Sequence, residues 1–451
     1  MARAKTVFIC NVCGAPHSGW AGRCSECGSW NSLEQQTEII SGSKAEQAIK
    51  GGHKIKPVNL NFTNIEKQSR ISTTIKDIDE VLGSGIVPGS VILIAGQPGI
   101  GKSTLLLQLA DHVASASKVL YVSGEESVEQ VASRGSRLNA KHKNLNLATS
   151  NSANDIAATI NSQEYEVVVV DSVQTIATEE ASGIPGSISQ VTNSAQLLML
   201  AAKKTNTALI LVGHVNKEGS IAGPKVLEHV VDVVLQLEGD RYGGFRVLRC
   251  VKNRFGSTNE AAILEMQDDG LKIVSNPSAA LLAERQKSDG SIVLATLEGT
   301  RPILVEVQAL VNTTSYGYPK RTAAGVDFNR LNLLIAMLER RTKLRLADKD
   351  IYINIVGGVK ITEPAADLAV CMAIASASKG MQLKKDAVVF GEVGLSGEIR
   401  HVPWIDKRLA EAKKLGFLAA IGPKVSTGKL PSWYYKMPDV RSALNTFLTK
   451  D

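Results

Sequence analysis

The nine residues GQPGIGKST at 96–104 constrain the fold of this chain more than any other segment. They satisfy G-x-x-x-x-G-K-[ST] and stand between an apolar run, SVILIAG at 90–96, and the apolar helical pattern STLLLQLADHVA. A strand that turns through glycines into a helix points several backbone N–H groups at one spot, and the helix N-terminus adds positive potential there. Such a turn cradles phosphate, and it requires an α/β core whose parallel strands end at one edge. Gly96, Gln97, Pro98, Gly99, Ile100, Gly101, Lys102, Ser103 and Thr104 are therefore the expected binding loop for ATP or ADP. Lys102 is expected to bridge the β- and γ-phosphates, and the Ser103 hydroxyl to ligate Mg²⁺.

The surrounding pattern agrees. KVLYVSG (118–124), EVVVVDS (166–172) and TALILVGHV (207–215) read as strands covered on both faces, joined by right-handed crossovers. DVVLQLEG (232–239) and FRVLRCVKN (245–253) read as a paired antiparallel end of the same sheet. Asp171 closes the four-valine run; on a strand next to the phosphate loop it would hold Mg²⁺ through water. Glu125 and Glu126 follow KVLYVSG at the carboxyl edge, where either is able to act as general base on the attacking water. Of the two, Glu125 is the preferred candidate.

Four of the six cysteines lie in the first 27 residues, as Cys10-x-x-Cys13 and Cys24-x-x-Cys27. Four thiolates so spaced surround one tetrahedral Zn²⁺, and closed Cys₄ coordination implies a structural metal. A redox role and an iron–sulfur cluster are the other chemistries open to such a quartet. Gly14, Gly22 and Gly28 permit the tight turns, and Trp20 and Trp30 are expected to cover the metal. Cys250 and Cys371 stand alone in apolar surroundings and read as buried small hydrophobes.

A chain of 451 residues exceeds one ordinary core. Its texture divides it into a ribbon at 1–32, a polar flexible linker at 33–66, an ATPase at 67–275 and an α+β unit at 276–451. Without a long apolar run or a signal-like start, neither a membrane span nor secretion is expected, which implies a cytoplasmic location. Of the net charge of +7, residues 1–76 carry most, with ten Lys/Arg against five Asp/Glu. That excess suits nucleic acid as well as a solvated tail.

Taken in order, the cysteine ribbon, GQPGIGKST, VLYVSGEES, VVVVDSVQT, GHVNKEG, AGPKVLEHVVD and VKNRFG resemble the RadA (Sms) family of bacterial DNA repair proteins along the whole chain. The resemblance implies a RecA-like core that works as a ring, expected to be a hexamer, with ATP between subunits. It assigns the catalytic glutamate to Glu125. It also places Lys252 and Arg254 of KNRFG at the γ-phosphate held by the neighbouring subunit, where they would stabilise charge on the transferring phosphoryl group. His214 matches the position that senses the γ-phosphate. Loops facing the ring centre, at 176–189 and 216–226, would contact single-stranded DNA, with Lys217 and Lys225 as phosphate contacts.

The C-terminal unit resembles the proteolytic domain of Lon, with departures that remove the chemistry. Lon-type peptidases carry their serine in a P-S-A-G segment; here the segment is Pro364-Ala365-Ala366-Asp367, and the dyad lysine falls at Asp406. With no nucleophile and no base, peptidase activity is not expected. Arg301, Lys320, Arg321, Arg330, Arg340, Arg341, Lys343 and Arg345 give this unit basic character suited to duplex DNA. The expected activity is a DNA-dependent ATPase and helicase. It would move on single-stranded DNA and promote branch migration of recombination intermediates, in partnership with a RecA-type recombinase. The alternative is a nucleotide-switched DNA-binding scaffold that assists recombinase without travelling.

Overall fold

The computed structural model describes residues 6–10, 16–17, 19–26, 28–30, 32–37, 69–214, 226–239, 244–315, 317–425 and 430–448. The chain divides into two compact units, Met1–Lys67 and Gln68–Asp451. Among the described residues, no helix is long and apolar enough to cross a membrane.

The first unit is a three-stranded antiparallel sheet of order β2-β1-β3, from β1 (Thr6–Cys10), β2 (Pro16–His17) and β3 (Leu33–Thr37). Thr6 lies opposite Thr37, and Cys10 opposite Leu33. Residues 33–37, LEQQT, are polar enough to read as linker, yet they form the third strand. Backbone pairing at a sheet edge needs no apolar side chains, so composition alone conceals it. The ribbon's sheet therefore runs past residue 32.

The second unit begins with α1 (Lys76–Val81) and a nine-stranded sheet. Its elements are β4 (Val91–Gly96), α2 (Lys102–Val113), β5 (Val119–Ser123), α3 (Val128–Arg137), β6 (Leu145–Thr149), α4 (Ala153–Asn161), β7 (Val167–Asp171), α5 (Ile188–Thr205) and β8 (Ala208–His214). There follow α6 (Val226–Val230), β9 (Val233–Glu238), β10 (Phe245–Asn253), β11 (Ala261–Gln267) and β12 (Gly270–Ile273). The strand order is β12-β11-β10-β9-β4-β8-β7-β5-β6. From β9 to β6 every pairing is parallel; β10, β11 and β12 join antiparallel. One expectation is corrected here. β7, which carries Asp171, does not adjoin β4, because β8 lies between them. Succession along the chain does not determine lateral order, since a crossover is able to skip a position.

Both faces of this sheet are covered. Leu105, Leu106, Leu109 and Val113 of α2 pack with Ile92, Ile94, Tyr121 and Val169 on one face. Ile156 and Ile160 of α4 and Leu198 of α5 pack with Leu93, Leu120 and Val170 on the other. Strands buried on two sides explain why these runs read as uninterrupted apolar residues.

The chain then forms α7 (Pro277–Leu282), β13 (Ser291–Glu298), β14 (Arg301–Thr313), β15 (Arg321–Ala324), α8 (Phe328–Thr342) and β16 (Lys349–Ile355). After them come α9 (Asp367–Lys379), β17 (Val388–Val389), β18 (Glu392–Val393), β19 (Ile399–Arg400), α10 (Ile405–Lys414), β20 (Ala420–Pro423), β21 (Tyr434–Met437) and α11 (Val440–Phe447). The main sheet is seven-stranded, β15-β16-β14-β13-β17-β20-β21. Residues 367–376 of α9 are buried throughout, and their small side chains let the helix lie against β13 and β14. Two ion pairs fasten this domain to the ATPase core. Arg249 on β10 bridges Glu238 on β9 and Glu298 on β13, the latter at 2.7 Å, and Arg301 reaches Asp77 at 2.8 Å.

Inside the C-terminal domain one arginine is wholly buried. Arg408 of α10 is inaccessible to solvent, pairs with Glu363, and donates to the carbonyls of Ala295 (2.6 Å) and Pro403 (3.2 Å). Glu363 also accepts from the Thr296 hydroxyl at 2.9 Å and the Leu297 N–H at 3.1 Å. Removing one member of such a pair strands the other charge in a largely buried site. Arg408→Ala is expected to destabilise the protein by about 3–5 kcal/mol, with Arg408→Met/Glu363→Leu distinctly milder. Urea denaturation followed by tryptophan fluorescence measures both; equal losses would show that the pair is not desolvated.

Candidate active site

The phosphate loop is held from below. A Cβ at Gly96 would lie 2.6 Å from the Leu237 carbonyl oxygen on β9, so the last residue of β4 has to be glycine. Gln97, Pro98 and Gly99 are exposed, while Ile100 is buried in the core and anchors the loop. The Ile100 carbonyl accepts from Nε of Arg246 at 3.3 Å, a buried arginine on β10 that sequence reasoning passed over. Gly101 takes φ +112° as the N-cap of α2, a left-handed conformation costly for any other residue. Lys102, Ser103 and Thr104 form the first turn, where helical N–H groups have no intrahelical partner.

The Lys102 ammonium folds back on its own loop. Nζ donates to the carbonyls of Gly96 at 2.9 Å and Gln97 at 3.1 Å. Burial lowers its pKa to about 8, a shift that the Asp171 and Glu125 carboxylates partly offset. Although β8 separates their strands, Asp171 and Lys102 are thus in electrostatic reach. Asp171 at the end of β7 accepts from the Tyr121 phenol at 2.6 Å through Oδ2.

The two glutamates after β5 differ in what surrounds them. Both Glu126 oxygens accept from Arg134 of α3, so its charge is committed to an ion pair. Glu125 is exposed, accepts from the Ser172 hydroxyl at 2.6 Å through Oε1, and lies close enough to act on Lys102. The Glu126 N–H donates to the Ser123 hydroxyl at 2.8 Å, which fixes the turn leading out of β5. Neither Tyr121 nor Ser172 stands out in the sequence, where they read as an apolar strand residue and a strand end.

Lys252 and Arg254 lie at the opposite edge of the sheet. Lys252 pairs with Val234 and Asn253 with Val233, and Val233 in turn with Ile92 near the start of β4. At about 3.3 Å per residue, Gly96 is roughly 13 Å further along the strands. The Lys252 ammonium donates to the carbonyls of Glu228 (2.7 Å), His229 (3.2 Å) and Val231 (2.8 Å) at the end of α6. Desolvation first, and then Arg254, lower its pKa. Arg254 is half-exposed and pairs with buried Asp232 at 3.2 Å; the Asp232 Oδ2 also accepts from the Val91 N–H at 3.0 Å.

Of the expected DNA contacts, loop 176–189 is described, whereas Lys217, Lys225 and the His214 side chain lie outside the described residues. The loop is less free than its composition suggests. Buried Gln190 accepts from the Thr178 N–H at 2.9 Å and donates to the Ala181 carbonyl at 2.6 Å, while Ile184 and Ile188 stay exposed. On the C-terminal domain Arg301 and Arg330 are occupied by Asp77 and Asp367. Arg340, Arg341, Lys343 and Arg345 are exposed at and just beyond the end of α8. Ala365 is buried, and Asp406 sits in the first turn of α10.

In the ribbon, Cys10 and Cys24 are both buried and share one small cluster with Leu33 and Phe8. The Cys24 carbonyl accepts from the Gly28 N–H at 2.9 Å, the tight turn that a CxxC knuckle requires. Two buried thiols in one cluster fit half of a metal ligand set; Cys13 and Cys27 lie outside the described residues. Trp20 and Trp30 are not part of the cluster that holds Cys10 and Cys24. Both are exposed, and Trp30 carries the Arg23 guanidinium over its ring.

Comparison with known proteins agrees with this architecture. The family model of an AAA domain matches residues 60–220, that of the subunit ChlI of Mg-chelatase residues 325–426, and that of a rubredoxin metal binding domain residues 8–35. The DNA repair protein RadA of Halalkalibacterium halodurans is 46% identical over 95% of this chain and 94% of its own. Those of Pseudomonas aeruginosa and Aquifex aeolicus are 47% and 46% identical, each over 94% of both chains. With a zinc ribbon, a RecA-like P-loop ATPase core and a Lon-protease-like C-terminal domain, the chain belongs to the RadA family of DNA repair proteins.

Proposed function

We propose that this chain is a DNA-dependent ATPase that assembles into a ring, most simply a hexamer, and moves along single-stranded DNA to extend branched recombination intermediates. One observation carries the reading. Lys252 and Arg254 occupy the edge of the sheet opposite to their own phosphate loop, so they serve a γ-phosphate only if a neighbouring subunit holds it. That placement favours nucleotide at subunit interfaces, with a RecA-type recombinase as the working partner on DNA. The scaffold alternative uses the same interfaces without translocation.

Within one subunit, residues 96–104 would wrap the phosphates, and the Lys102 ammonium would exchange its two loop carbonyls for β- and γ-phosphate oxygens. Mg²⁺ held by Ser103 and, through water, by Asp171 would neutralise charge on those phosphates. Glu125 would orient and deprotonate the attacking water, since Glu126 is occupied by Arg134. The neighbour's Lys252 and Arg254 would leave their α6 carbonyls and Asp232 to engage the transferring group. Cys10, Cys13, Cys24 and Cys27 would hold Zn²⁺ as a structural ion. With Ala365 and Asp406 at the dyad positions, the C-terminal domain would serve as an assembly and DNA platform, and the proposal includes no peptidase activity.

Two measurements test this. Below pH 8 Lys102 is already charged; above it the free site loses the proton, while bound phosphate favours its return. Nucleotide affinity is therefore expected to fall as pH rises above about 8, by up to tenfold per unit, and Lys102→Arg is expected to flatten the profile. A wild-type titration that stays level from pH 7 to 9.5 would remove Lys102 from the phosphates. The second concerns the interface. Lys252→Ala is expected to lower DNA-stimulated turnover by on the order of 10³ while still binding ATP. Mixing it with Lys102→Ala, itself inactive, is expected to restore measurable hydrolysis, because some interfaces then pair an intact loop with an intact Lys252. Normal turnover by Lys252→Ala alone would end the trans assignment.

A further inference from the structure

The core of the ATPase contains a polar group that its apolar surroundings do not explain. Tyr121 is the middle residue of β5 (VLYVS) and is buried in the apolar cluster that also holds Ile94, Leu106, Val131 and Val169. A phenol in such a place is unfavourable unless its hydroxyl finds a partner. It finds Asp171: the hydroxyl donates to Oδ2 at 2.6 Å. Burial first, and then the Asp171 charge, push the phenol well above its ordinary range.

We propose that Tyr121 is a positioning residue for Asp171, occupying one carboxylate oxygen so that the other is the defined acceptor for a metal-bound water. The proposal rests on the reading that Asp171 holds Mg²⁺ through water. Its physical basis is the soft terminal torsion of aspartate, which is broad and roughly two-fold. A strand-end carboxylate without a fixed partner samples orientations that an octahedral, partly hydrated Mg²⁺ does not accept. A charge-assisted bond from a rigid, buried ring removes that freedom. The sheet supplies the rest. β5 pairs directly with β7 in a register that sets Tyr121 opposite Val169, so the ring rises toward the strand end where Asp171 sits. The Asp171 carboxylate also acts electrostatically on Lys102 of the phosphate loop.

Tyr121→Phe in the full-length chain tests this, because it keeps the ring and deletes only the hydroxyl. The readout is the affinity of a fluorescent ADP, labelled on its ribose, measured in EDTA and then as MgCl₂ is raised. The expected result is a metal-free affinity within about twofold of wild type, with the half-saturating Mg²⁺ concentration raised about tenfold. On an Asp171→Asn background the same substitution is expected to add nothing, since its effect passes through that carboxylate. Wild-type Mg²⁺ dependence in Tyr121→Phe, with Asp171→Asn still shifted, would overturn the role of Tyr121 alone. No shift in Asp171→Asn would overturn the reading beneath it. A loss of metal-free affinity as large as the Mg²⁺ shift, or full additivity with Asp171→Asn, would mark Tyr121 as structural support only.

Discussion

The hydrogen-bonded ladder of six parallel strands governs what every part of the ATPase core is able to do. Parallel pairing makes β9, β4, β8, β7, β5 and β6 finish along one edge, and the chain leaves that edge at Gly96, Ser123, Asp171 and His214. Four unrelated segments thus converge although they are distant in sequence. The cost of this arrangement is that both faces have to be dry. Desolvation of the strands also reaches Lys102, whose ammonium is held in a half-dry site by two loop carbonyls and the nearby acids.

The same ladder explains why Lys252 and Arg254 end up far from their own nucleotide. β10 enters antiparallel, so the residues that close it lie where the parallel strands begin. Their charges are stored there on the carbonyls of α6 and on Asp232. Nothing in the local sequence distinguishes this from an ordinary basic turn. The strand direction decides it.

How much was legible beforehand follows from which interactions are local. The phosphate loop is a contiguous motif whose chemistry depends on its immediate flanks, and its placement between strand and helix holds as read. The alternation of apolar runs reveals the strands, because burial on two faces leaves an uninterrupted pattern. Lateral order is another matter: β8 comes between β4 and β7, and no property of VVVVD or ALILVGH announces it. The sequence favours Glu125 over Glu126 without a physical reason; the difference in their surroundings comes from Arg134 and Ser172, eight and 47 residues away from their partners. Tyr121 stays hidden for the opposite reason, since an aromatic residue in a buried strand looks like packing. LEQQT conceals a strand because pairing through the backbone leaves no trace in polarity.

Arg249 has a mechanical consequence. It sits on β10 three residues before Lys252 and is fastened across to Glu298 on the first strand of the C-terminal sheet. β10 is hydrogen-bonded to β11 over Phe245–Arg249 and to β9 over Val247–Asn253, with a register shift between Cys250 and Lys252. A load applied to the C-terminal domain therefore enters β10 at Arg249, a residue held by Ala261 on one side and Gln236 on the other. The register shift between Cys250 and Lys252 marks where that bracing ends, so residues 252–254 are carried on the braced part of the strand through a more compliant joint.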